Sequence, residues 1–138
     1  MKIKAKLLKS RRDSYSSSKN LLKSFRYAFS GIKYTFNNSR NFKIQFLFAF
    51  LSLILGYILQ LNKIDYLILL VTIFSVLILE ILNTSIESLV DLVIKKKFSY
   101  LAKISKDCSA GAVLLASINS VIIGLYLFIP KINLLFLN

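Results

Sequence analysis

The sequence predicts an all-α membrane protein: an amphipathic surface helix at the N-terminus, followed by three transmembrane helices. Three observations carry this. Of 138 residues, 56% are hydrophobic, above the roughly 45–50% usual for soluble domains. The apolar residues stand in blocks long enough to cross a bilayer core of about 30 Å. The 4 Gly and 1 Pro leave few breaks. A chain this short makes one domain.

Residues 1–18, rich in Lys, Arg and Ser, read as a basic flexible tail suited to anionic lipid headgroups. They lack the apolar segment of a cleavable signal peptide. The remainder, 19–138, reads as a single membrane-embedded domain. Residues 19–37 predict the surface helix. At about 100° per residue, Leu21, Leu22, Phe25, Ala28, Phe29, Ile32 and Phe36 share one face, with Lys19, Lys23, Arg26 and Lys33 beside it. Such a helix lies in the headgroup region.

The spans are expected at about 44–61, 65–94 and 108–129, with Pro130 closing the third. The second is longer than a bilayer core, so its far end emerges into the headgroups. Between the second and third lies a polar loop, 95–107. Residues 1–43 hold 12 of the 19 Lys and Arg, and 95–107 hold five more. The positive-inside tendency therefore puts the N-terminus and the 95–107 loop in the cytoplasm. The expected location is a bacterial-type inner (plasma) membrane.

Composition also excludes. With no His and one cysteine, Cys108, there is no Cys/His zinc site, no Ser-His-Asp or Cys-His catalytic set and no internal disulfide. The net charge of +13 could serve nucleic acid, but the long apolar runs assign it to a membrane surface instead. No nucleic-acid partner is expected.

Three of the six acids, Glu80, Glu87 and Asp91, sit in the long second span. Their spacings place them on one face with Asn83 and Thr84. Exposing that stripe to lipid costs several kcal/mol, so it must face protein, water or a cation. Counting about 20 residues from the outer turn puts Glu80 just inside the cytoplasmic boundary. Glu87 and Asp91 lie just outside it. There a lipid hydroxyl can meet a water-soluble phosphate donor. Phosphoryl transfer needs a base for the hydroxyl proton, a carboxylate for Mg2+ and lysines for phosphate charge. Glu80, Glu87 and Lys106 are of these types. Residue types alone leave three readings open: a kinase, a polar helix-packing device, and a transport or ion path. No P-loop or Gly-rich kinase loop is present.

The run Glu80-Ile81-Leu82-Asn83-Thr84-Ser85-Ile86-Glu87-Ser88-Leu89-Val90-Asp91 resembles the signature of the prokaryotic diacylglycerol kinase and undecaprenol kinase family, E-x-x-N-[ST]-[AS]-I-E-x-x-V-D. A second block, Lys106-Asp107-Cys108-Ser109-Ala110-Gly111-Ala112-Val113, resembles that family's K-D-x-x-[AS]-[AG]-A-V. A third, Phe25 to Ile32 followed by Arg40 to Ile44, is similar to its surface helix and first-span entrance.

The resemblance implies a homotrimeric lipid kinase that uses ATP with Mg2+ and phosphorylates diacylglycerol or undecaprenol. It implies Glu80 as general base and Asn83 as an orienting group. Glu87 is implied to hold the metal, and Lys106, Asp107 and Tyr27 to contact the nucleotide. Asp91 is implied to be structural. Two positions depart from the family. Ser39 stands where an acid is common and helps hold the metal, so it marks a weakened metal position. Gln45 stands where many relatives have His. These departures keep a weakly active or non-catalytic member of the same fold as the alternative.

Overall fold

The computed structural model describes residues 21–95 and 97–136. They form four helices: α1 (Leu21–Asn38), α2 (Arg40–Ile58), α3 (Lys63–Ile94) and α4 (Tyr100–Phe136). The expected basic tail, the first two residues of the expected surface helix, and Lys96 lie outside the described residues. The chain divides between Asn37 and Asn38 into two units, which are taken separately.

In the first unit α1 carries exposed Phe25, Phe29 and Ile32. Lys23, Arg26 and Lys33 are exposed as well. Thr35 Oγ1 donates to the Gly31 carbonyl at 3.2 Å, which satisfies the hydroxyl within the helix.

In the second unit α2, α3 and α4 are each long and apolar enough to cross a membrane. Little of their apolar surface is covered by the chain itself. Phe46, Phe50, Tyr57, Val71 and Phe74 are all exposed, as befits helices whose outer faces meet acyl chains. The protein is a multi-pass membrane protein.

Turn chemistry sets the helix ends. Ser39 caps α2 by accepting from Phe42 N at 3.1 Å. After α2 the chain reverses through Gln60, which has φ 51°. Asn62 then caps α3, its Oδ1 accepting from Ile64 N and Asp65 N at 2.9 Å each. At the opposite end Lys95 takes the left-handed conformation (φ 45°, ψ 48°), and its N–H returns to the Asp91 carbonyl.

The last helix begins earlier and ends later than the sequence predicts. Residues 100–107 are helical rather than loop, because Ser99 starts α4 by accepting from Ala102 N at 3.4 Å. Pro130 lies inside α4 rather than closing it. Proline removes one backbone donor and presses on the preceding turn, but α4 continues to Phe136. The early start matters for the site, since it places Lys106 and Ser109 on a rigid helix that packs along α3.

The apolar core lies near the α2–α3 turn. Leu61, Leu69 and Leu127 are buried there, with Leu53, Tyr66, Ile73, Ile123 and Phe128 packed around them. Tyr66 Oη donates to the Leu53 carbonyl at 3.1 Å and ties α3 to α2. Within a bilayer, close packing and hydrogen bonds hold helices together, because lipid tails are as apolar as leucine. Gly56 permits the close approach. A Cβ there stands 3.1 Å from Leu61 Cδ1 and 3.4 Å from the Tyr66 ring. Gly56→Leu is therefore expected to cost about 1–3 kcal/mol through overpacking, read as a lower melting temperature in detergent. An unchanged melting temperature would show that the turn relaxes freely.

Candidate active site

The polar stripe of α3 faces α2 and α4, and burial grades along it. Glu80 is only 2% exposed and Asn83 is 7% exposed. Glu87 and Asp91 are exposed. Burial thus falls along the stripe from Glu80 toward Asp91.

Each stripe residue has a defined partner. Ser39 Oγ donates to Glu80 Oε1 at 2.7 Å. Gln45 Nε2 donates to Glu80 Oε2 at 3.5 Å. Asn83 Nδ2 donates to Glu87 Oε1 at 3.2 Å, and Asn83 Oδ1 accepts from Ser109 Oγ at 2.6 Å. Asn83 thus links exposed Glu87 on its own helix to Ser109 on α4. Lys106 Nζ pairs with Asp91 Oδ1 at 2.6 Å, and Lys103 Nζ with Asp107 Oδ2 at 2.9 Å. Thr84, placed on the same face by its spacing, donates to the Glu80 carbonyl at 3.0 Å and does not meet the carboxylates.

A cavity of about 260 Å³ opens beside these groups. Asn41, Ile44, Gln45, Glu80, Asn83, Ala110, Val113, Leu114 and Ser117 form its wall. A second, more apolar cavity of about 400 Å³ shares Ile44, Gln45 and Ser117 with it. It runs toward the α2–α3 turn past Val76, Thr72 and Leu69. A polar chamber thus adjoins an apolar groove. The hydroxyls along the groove are satisfied within their own helices. Ser52 donates to the Ala49 carbonyl, Thr72 to Ile68, Ser117 to Val113 and Ser120 to Ser117.

The structure therefore places two hydrogen-bonded groups on this face, Glu80 with Ser39 and Gln45, and Asn83 with Glu87 and Ser109. It ties Lys106 to Asp91 at the exposed end. Tyr27 lies on α1, in the other unit, and is exposed. Sequence reasoning missed what Ser39, Gln45 and Ser109 do. The first two stood out only as departures from a pattern, and Ser109 only as a motif match. Their partners are 41, 35 and 26 residues away, a distance that no local spacing rule reaches.

For a metal, no cluster of three or more Asp, Glu, Cys or His side chains exists among the described residues. An all-protein cage is therefore not built here. A Mg2+ ion typically needs only one or two carboxylates when phosphate oxygens complete its shell. Glu87 fits that mode, being exposed with one oxygen engaged by Asn83 and the other open.

A sequence profile described as prokaryotic diacylglycerol kinase matches residues 26–128. The chain belongs to the prokaryotic diacylglycerol kinase family. Two curated relatives agree. A diacylglycerol kinase of Synechocystis sp. is 43% identical over 122 residues, covering 88% of this chain and 70% of the relative. An undecaprenol kinase of Bacillus subtilis is 39% identical over 121 residues, covering 88% of this chain and 98% of the relative. Family and relatives together make this family member a lipid kinase.

Asn83 is the hinge of the constellation, so its buried partner is informative. Ser109→Ala leaves the Asn83 carbonyl oxygen buried without that donor. The expected cost is about 1–3 kcal/mol, measured as a drop in thermal stability in detergent. A neutral result would mean that water replaces the hydroxyl.

Proposed function

We propose that the protein transfers the γ-phosphoryl group of ATP to the primary hydroxyl of a long-chain membrane alcohol of the diacylglycerol or undecaprenol type. The observation that carries this reading is the Glu80 carboxylate, buried in the wall of a polar chamber that opens into an apolar groove. The groove suits a hydrocarbon tail. The chamber suits a hydroxyl, and the exposed end of the stripe suits a water-soluble nucleotide.

In this reading the lipid hydroxyl enters the chamber from the groove and donates its hydrogen bond to Glu80. As the hydroxyl oxygen bonds to the γ-phosphorus, its proton passes to the Glu80 carboxylate. The bond from that phosphorus to the bridging oxygen breaks, and ADP leaves with the electron pair. Asn83, fixed by Ser109, orients Glu87. Lys106 exchanges Asp91 for phosphate oxygens, where its charge offsets that of the transferring group. Asp107 and Tyr27 are assigned to the nucleotide. Glu87 is the residue that would hold Mg2+, whose chemistry here is to neutralise phosphate charge.

A cytoplasmic nucleotide requires the polar end of the stripe, the N-terminus and the 95–99 turn to face the cytoplasm. The lysine distribution supports this orientation. The amphipathic α1 suits an anionic headgroup layer. Exposed apolar surface on all three spanning helices leaves room for further copies, consistent with a homotrimer.

The second reading is a member of the family that does not turn over. The neutral Ser39, at a position where the family resemblance implies an acid, favours it. An ion path has less support. Between Asp65 and Glu80, α3 carries no charged residue, and the groove hydroxyls are engaged by their own backbones.

Purified protein in mixed micelles, given radiolabelled ATP with Mg2+, is expected to phosphorylate diacylglycerol or undecaprenol. Glu80→Gln is expected to lose at least about a hundredfold in turnover. Chelation of Mg2+ is expected to abolish it. Absence of labelled product with either lipid would favour the non-catalytic reading, and full activity in Glu80→Gln would remove Glu80 from the mechanism.

A further inference from the structure

Two residues that the family resemblance singles out, Ser39 and Gln45, both converge on one carboxylate. Ser39 and Gln45 lie at the start of α2, and Glu80 lies 41 and 35 residues further on. Ser39 takes one Glu80 oxygen at 2.7 Å and Gln45 takes the other at 3.5 Å. Glu80 is 2% exposed, and among the described residues it has no ion-pair partner. Two neutral donors from the first turns of α2 therefore make up its side-chain hydrogen-bonding environment.

Both donors are themselves fixed. Phe42 N donates to Ser39 Oγ at 3.1 Å, so the helix cap holds the hydroxyl whose proton points to Glu80. A hydroxyl has one proton and two acceptor sites, and here the proton is committed to the carboxylate. Gln45 shows the same commitment from the other side. Its Oε1 is buried with no partner, which is costly for an amide oxygen. The reverse orientation would set two oxygens against each other. Donation to Glu80 decides the orientation even at that cost.

We propose that Ser39 and Gln45 are positioning residues that hold the two Glu80 oxygens and so aim the base at the lipid hydroxyl. Position 39 in this chain thus serves the base, and metal binding rests on Glu87. The proposal depends on Glu80 being the base, and the test separates the two claims.

The experiment compares Ser39→Gly, Ser39→Thr, Gln45→Leu and Glu80→Gln in mixed micelles, with lipid and Mg2+ titrated for each. Glycine serves nearly as well as serine at a helix cap, so Ser39→Gly removes the donor while largely sparing α2. Its kcat is expected to fall about tenfold, with lipid KM and the half-saturating Mg2+ concentration unchanged. Gln45→Leu is expected to lose less, given its longer hydrogen bond. Ser39→Thr keeps both cap and donor and is expected to retain turnover. In the Glu80→Gln background, Ser39→Gly is expected to add no further loss.

A readout independent of turnover is the infrared carboxyl band of Glu80, isolated by difference against Glu80→Gln. It is expected to move in Ser39→Gly and to stay in Ser39→Thr. A several-fold rise in the Mg2+ requirement, with kcat restored at saturation, would make Ser39 a metal ligand and overturn the proposal. So would an unmoved infrared band, or an equal tenfold loss in the Glu80→Gln background. Full activity of Glu80→Gln would instead defeat the base assignment, and the positioning role would fall with it.

Discussion

The Glu80 carboxylate is buried with no ion-pair partner among the described residues. Burying such a group among apolar helices is unfavourable unless hydrogen bonds compensate. The start of α2 supplies these bonds, so its position is tied to the middle of α3. Where Glu80 sits determines where Ser39 and Gln45 must be. Those two fix the entry of α2 relative to α3, and with it the mouth of the chamber. The chemistry and the packing at this level therefore share the same few hydrogen bonds.

The polar stripe and the apolar core occupy opposite ends of the same helices. Near the α2–α3 turn, Leu61, Leu69 and Leu127 pack closely around a glycine contact. Near the other end, Asn83 meets Ser109 and Asp91 meets Lys106 across the α3–α4 pair. The two ends differ in chemistry. The first is built mainly of apolar side chains, and the second carries the carboxylates and their hydrogen-bond partners. A kinase whose acceptor is a lipid and whose donor is a nucleotide needs both conditions within one short helical hairpin. The exposed ion pairs contribute little to stability, since such pairs are worth about 0–1 kcal/mol.

The departures from the family pattern also read differently in three dimensions. Along the chain, the resemblance marks Ser39 and Gln45 only as neutral residues where an acid and an imidazole are common. In space the two are donors to a single carboxylate. An acid at position 39 could not donate while ionised, and it would bring a second negative charge toward Glu80. The neutral pair is thus consistent with itself, and the two changes belong to one local solution.

Much was legible in the sequence because it depends on local periodicity and on the cost of polar groups in lipid. Three apolar blocks of sufficient length fix three long helices. Spacings of seven and four place Glu80, Glu87 and Asp91 on one face, and the motif around them carries the lipid kinase reading. The ends of α4 were less legible. A lysine-rich segment looks like a loop, yet Ser99 caps it into a helix. A proline looks like a stop, yet α4 runs through it. What only the tertiary structure decided is which residues from distant parts of the chain meet the stripe: Ser39 and Gln45 at Glu80, Ser109 at Asn83, Lys106 at Asp91. Periodicity governs which face a residue occupies, but the partner of a face is set by how helices pack, and that information lies in no single segment.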